Sequence, residues 1–89
     1  MDEPEMTHLD RLHTLPCVVH TYVIGSPQTS PTVVHHLESV RDENTDFAGV
    51  SICDDCHKDL HRLSRRGFEM RYKLTPIDLL ALTIKALES

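Results

Sequence analysis

Tryptophan is absent from this chain of 89 residues, and aromatic side chains make up only 4% of it. The bulkiest core fillers are therefore missing. A chain this short buries only roughly 60% of its unfolded surface, so an apolar core alone holds it marginally. No apolar run approaches the ~18 residues that a bilayer-spanning helix needs. The opening Met-Asp-Glu-Pro-Glu is acidic and no apolar stretch follows it, so no secretory signal is expected. Cysteine occurs three times, an odd number that cannot be paired off within one chain. Together these absences predict one domain over 1–89, in a reducing cytoplasm and away from membranes. There, closely spaced cysteines read as metal ligands or a redox pair before they read as disulfides. A structural metal is the natural remedy for a thin core.

Against this background, Cys53-Asp-Asp-Cys56-His57-Lys-Asp-Leu-His61 stands out, with four thiols and imidazoles in nine residues. A histidine pair, His35-His36, lies upstream. Thiolate and imidazole are the donors that borderline-soft ions such as zinc prefer. Cys17-Val-Val-His20 supplies a second half-site with the same two-residue gap as Cys53-x-x-Cys56. That gap lets both side chains of one turn grip a single ion, so Cys17, His20, Cys53 and Cys56 are expected to hold a structural zinc as Cys₃His. A redox Cys-x-x-Cys is the competing reading, but no long βαβ pattern surrounds it.

The predicted elements place these residues. Residues 7–14 form a short helix with Leu9 and Leu12 inward, stopped by Pro16. Val18-Val19 with Tyr22-Val23-Ile24, and then Thr32 to His35, read as two strands of a hairpin around a Gly25–Pro31 turn. Residues 38–48 are polar and loop-like, and Val50-Ser51-Ile52 is a last short strand. A helix starts at Cys53–Asp54, with Asp54 and Asp55 at its positive end, and runs to about Arg66 with Gly67 as its cap. Thr75-Pro76-Ile77-Asp78 opens a final helix over 75–88, whose face Ile77, Leu80, Ile84 and Leu87, broadened by Leu79, Leu82 and Ala86, docks on the core. In the helix after Cys53, His57 and His61 are four apart and project from one face. His35 and His36, adjacent at a strand end, point to opposite sides of it.

Net charge is −5, yet residues 57–73 carry a local +4. Lys58, Arg62, Arg65, Arg66, Arg71 and Lys73 make that stretch basic. It reads either as a solvated helix surface or as an anion footprint confined to one face.

Taken together, Val34-His35-His36-Leu37 and Cys53-x-x-Cys56-His57-x-x-x-His61 resemble the HNH, or His-Me finger, nuclease family. The upstream Cys17-x-x-His20 is similar to the first zinc knuckle of many members. The likeness spans residues 16 to 66 and looks closest to small phage and prophage members associated with recombination. It implies an α+β, zinc-stabilised treble-clef domain of the ββα-metal kind, followed by a C-terminal helix. It also implies metal-dependent hydrolysis of DNA phosphodiesters, as an endonuclease or nickase, with a recombinase or other phage protein as a possible partner. Carried onto this chain, His36 takes the general-base place. His35, His61 and, as a second helix ligand, His57 take the catalytic-metal places for Mg²⁺, Mn²⁺, Ni²⁺ or Zn²⁺. Cys17, His20, Cys53 and Cys56 take the structural-zinc places, and Arg62, Arg65 and Arg66 follow as phosphate contacts. An imidazole can take a proton from water near neutral pH, as such a base must. Two positions depart from the family pattern. Ala48 stands where an asparagine usually orients the base, with Asn44 nearby but displaced, and His20 stands where many members have cysteine. Both departures keep open an inactive treble-clef module that binds DNA or a protein, or a purely structural zinc protein.

Overall fold

The computed structural model describes residues 7–37 and 48–89. The acidic lead-in at 1–6 and most of the loop expected over 38–48, Asn44 included, lie outside the described residues. The fold is α+β: a two-stranded antiparallel sheet with helices packed around it.

Helix α1 spans His8–Thr14. Thr7 and Asp10 close a capping box at its start: the Asp10 amide donates to the Thr7 hydroxyl at 3.1 Å, and the Thr7 amide to the Asp10 carboxylate at 3.3 Å. Leu12 is fully buried. The valine-rich segment that follows is not the expected strand. Val18 and Val19 lead into a π-helical turn, His20–Ile24, closed by Gly25 at φ 79°. The reason lies in the ligand spacing. Along a strand, residues three apart face opposite sides of the sheet, whereas on a helical turn they face the same side. Cys17 and His20 meet in one cluster of donors, so the chain coils there despite its β-branched residues.

Strand β1, Thr32–His36, therefore pairs not with that segment but with β2, Gly49–Cys53. The register sets Val34 opposite Ser51, His35 opposite Val50 and His36 opposite Gly49. Every residue of β2 is buried, which makes it the centre of the structure. Its Ser51 joins three elements: the hydroxyl donates to the Leu12 carbonyl at 2.7 Å, and the amide donates to the Thr83 hydroxyl at 3.2 Å.

Helix α2 spans Asp54–Tyr72 and is broken at Ser64 (φ 64°, ψ 168°). Gly67 does not end it. Phe68, 1% exposed, reaches the core from the second half and keeps that half helical. Gly67 instead lets the kinked helix close up, because a β-carbon there would lie 3.1 Å from that of Leu63. The C-cap is Lys73, in the left-handed region at φ 60°. A bond at 2.9 Å from the Tyr72 hydroxyl to Asp59 ties the two halves together.

Helix α3, Pro76–Leu87, begins as expected, with a Thr75–Asp78 capping box and Pro76 in the first turn. Its inward face is only part of the expected one: Leu79 and Ala86 lie in it and Leu80 and Leu82 pack against it, but Ile77 and Ile84 do not. Leu79, Thr83 and Ala86 are buried, whereas Ile77 and Ile84 are 75% and 46% exposed. The polar contact to Ser51 sets this rotation: Thr83 must face β2 to accept its edge amide, and that turns Ile77 and Ile84 outward.

Candidate functional site

The four donors expected to share one ion converge. Cys53 is the N-cap residue of α2 and Cys56 sits one turn on, while Cys17 and His20 come from the coiled segment before β1. All four are buried, and their donor atoms lie within 4.8 Å of one another. His20 Nδ1 is 3.3 Å from the sulfur of Cys17 and 3.6 Å from those of Cys53 and Cys56. The Cys17 and Cys56 sulfurs are 3.8 Å apart. A tetrahedral zinc with arms of about 2.3 Å to sulfur and about 2.0 Å to nitrogen sets edges of about 3.8 Å between sulfurs and about 3.5 Å from sulfur to nitrogen. The donors already stand at those separations. A disulfide needs about 2.05 Å, and all three cysteines are free thiols. The cluster can hold a metal ion, and its donor set and shape fit structural zinc.

The electrostatics agree. A hydrogen bond with Cys56 draws the Cys17 thiol down to about 4, against the opposing effect of burial. The same bond, burial and the neighbouring sulfurs push the Cys56 thiol far up. Three thiolates cannot coexist there without a cation between them. The loop before β1 holds the geometry. The Cys17 amide donates to Gln28 at 2.8 Å, and the Gln28 side-chain amide donates to Ser30 and Thr32.

A second group of donors stands apart from the sulfurs. His35 of β1 meets His57 and His61 of α2, again with donor atoms within 4.8 Å of one another. Ring centroids are 5.3 Å apart for His35–His57, 5.8 Å for His35–His61 and 4.6 Å for His57–His61. The Nε2 atoms of His57 and His61 are 3.1 Å apart. That is the separation of two nitrogens sharing a cation at about 2.1 Å with a near-right angle. Desolvation first, and then the His61 imidazole, lower the His57 pKa, with Asp54 opposing; this favours the neutral ring that a metal requires. His35 and His57 are half-buried and His61 is exposed, so the group opens to solvent. The imidazole group offers three donors with an open side, whereas the sulfur cluster is closed by four.

His36 ends β1 opposite Gly49, which presents no side chain across the ladder. By strand alternation it takes the sheet face that His35 does not, and it is not one of the three converging imidazoles. Of the three arginines, Arg62 donates to Asp59 at 3.0 Å. Arg65 lines a cleft together with His35 and His61, and Arg66 is exposed. Ala48 is buried, and its carbonyl accepts the Leu37 amide at 3.1 Å. Its methyl offers no side-chain hydrogen bond where an asparagine would. Asp59 was not singled out from the sequence. It accepts from both Arg62 and Tyr72, which hold its carboxyl below the usual carboxylate range; its spacing to Arg62 was visible, but its link to Tyr72 depends on the kink.

Comparison with known proteins returns no match: no family model fits the chain, and no curated protein or solved structure is significantly similar to it. Among the described residues, no helix is long and apolar enough to cross a membrane.

Proposed function

We propose that this protein is a metal-dependent DNA endonuclease or nickase of the HNH, or His-Me finger, kind, built on a zinc-stabilised treble clef. One observation carries the reading. In strand–strand–helix order, β1 and α2 gather three imidazoles at a point separate from the four-donor sulfur cluster. A chain that needed only a structural ion would have no use for the second group.

His35, His57 and His61 would hold the divalent ion. Such an ion supplies Lewis-acid polarisation of a phosphoryl oxygen and charge stabilisation at the leaving oxygen. The resemblance gives His36 the proton of the attacking water; strand alternation turns His36 away from these three rings, so that role rests on the resemblance alone. Arg65, with Arg66 beside it, neutralises flanking phosphates and binds them without reading sequence. The phage origin and a recombinase partner rest on the resemblance alone.

Incubation with supercoiled plasmid and Mg²⁺, Mn²⁺ or Ni²⁺ tests the proposal. Relaxed or linear product is expected, and both His36→Ala and His61→Ala should abolish it while leaving zinc content unchanged. Cleavage by His36→Ala at the wild-type rate would remove His36 from the chemistry. A second reading, an inactive zinc module that binds DNA or a protein, is favoured by the Ala48 methyl. It predicts DNA retardation in gels with no cleavage under any of the three metals.

A further inference from the structure

A cleft of about 230 Å³ lies beside the imidazole group, lined by His35, His61 and Arg65 and by Leu37, Leu60 and Leu79. Among the described residues, no carboxylate lines it. Arg65 forms no ion pair among the described residues, unlike Lys58 and Arg62, which are each paired within α2. One side of the cleft's chemistry is therefore cationic or metal-holding, and the other is aliphatic. The volume falls below the ~300 Å³ at which pockets for drug-sized ligands begin, so it suits a fragment of an anionic ligand. Among the described residues it holds no phenyl or indole face, the platform on which nucleic-acid bases stack. Leucines suit the carbons of a saturated sugar ring instead.

We propose that this cleft is a sugar-phosphate subsite. It seats one deoxyribose of a DNA strand against Leu37, Leu60 and Leu79, with the attached phosphate on Arg65 beside the imidazoles. The identity of the ligand rests on the nuclease reading; the chemistry of the cleft does not. The subsite recognises a backbone unit and no base, so it adds grip without sequence preference. Arg65 is thereby a binding residue of the cleft and not merely a contributor to a diffuse basic surface.

The test is a titration of the zinc-loaded full chain with deoxyribose 5-phosphate, inorganic phosphate and deoxyribose, followed by amide chemical shifts. Signals of Leu37, Leu60 and Arg65 should move with deoxyribose 5-phosphate, which should bind several-fold more tightly than inorganic phosphate. Arg65→Ala should weaken sugar-phosphate binding about tenfold, the loss of one charge-assisted hydrogen bond. Arg11→Ala, an equal change of charge on exposed α1, should not. Leu60→Ala should narrow the gap between the sugar phosphate and inorganic phosphate. Equal binding of the two anions, or wild-type affinity in Arg65→Ala, would overturn the subsite. Plasmid relaxation by the same wild-type sample separates the two claims. Cleavage without sugar-phosphate binding sinks the subsite and keeps the nuclease. Sugar-phosphate binding without cleavage keeps the subsite and sinks the nuclease.

Discussion

His20 follows Cys17 by three positions, as Cys56 follows Cys53, and at both places the chain makes the helical turn that brings such residues to one side. The four clustered donors were legible in the sequence because their spacing carries this requirement; the conformation of the first pair was not, because valines around it favour a strand. Had the ligand spacing been weighed above β-propensity, the turn would have followed from it. Apparent zinc affinities in small metallo-domains amount to about 10–16 kcal/mol, as large as the whole net stability of a domain, about 5–15 kcal/mol. Cys53→Ser is therefore expected to lose its zinc and its cooperative thermal transition together; an unchanged melting temperature with full zinc content would contradict the assignment. Acid should act on the same group. A thiol held below its ordinary value contributes stability that is complete above that value and is lost as the pH falls. Cys17, drawn from 9.0 to about 4, sets that window. Zinc content and melting temperature should fall together between pH 7 and pH 4, and a melting temperature independent of pH there would argue against thiolate ligation.

At the scale of elements, helix starts were easier to read than helix ends. Thr75-Pro76-Ile77-Asp78 is a local signal, and its capping box forms as written. The end of α2 is a tertiary matter: Phe68 belongs in the core, so the helix breaks at Ser64 and resumes, passing through Gly67. Ser64 occupies a backbone region that is essentially restricted to glycine and costs about 1–3 kcal/mol elsewhere. Its hydroxyl accepts the Gly67 amide at 3.4 Å, a long cap bond, and replacing a serine cap by glycine costs only a few tenths of a kcal/mol. Ser64→Gly is thus expected to stabilise the protein by about 1 kcal/mol in chemical denaturation. A loss of stability would show that the kink is not strained. Periodicity marked a face of α3 wider than the one that docks, since apolar residues surround much of that helix: Leu79 and Ala86 lie in the docked face, Ile77 and Ile84 do not. The buried Ser51–Thr83 contact selects it. Thr83→Val keeps the shape but leaves the Ser51 amide without a partner, an expected cost of about 1–3 kcal/mol. An unaffected denaturation midpoint would mean that packing alone orients α3.

The whole molecule is organised around β2, which passes its last residue directly into α2 as one of the four clustered donors. One strand–helix junction thereby serves both donor groups: Cys53 and Cys56 face inward to the sulfur cluster, and His57 and His61, further along the same helix, meet His35 across the sheet. The core is small and poor in aromatics, as the composition implies, and the buried donors replace some of what it lacks. The basic stretch read from the sequence resolves into distinct environments. Arg62 is engaged by Asp59, Arg71 lies over the Tyr72 ring at 5.5 Å, and Arg65 borders the cleft. Charge counting could not separate them, because it records no neighbours: Arg62 meets Asp59 one turn earlier on the same helix, whereas the Asp59–Tyr72 contact spans the break in α2. The central claim is that sulfur and imidazole donors serve different ions. Titration of the zinc-stripped, refolded chain with Co²⁺ tests it most directly. The first equivalent should produce thiolate-to-metal charge transfer, and a second should bind without adding to it and be lost in His57→Ala with His61→Ala. A single equivalent in the wild type, or loss of the thiolate signal in that double variant, would contradict the account.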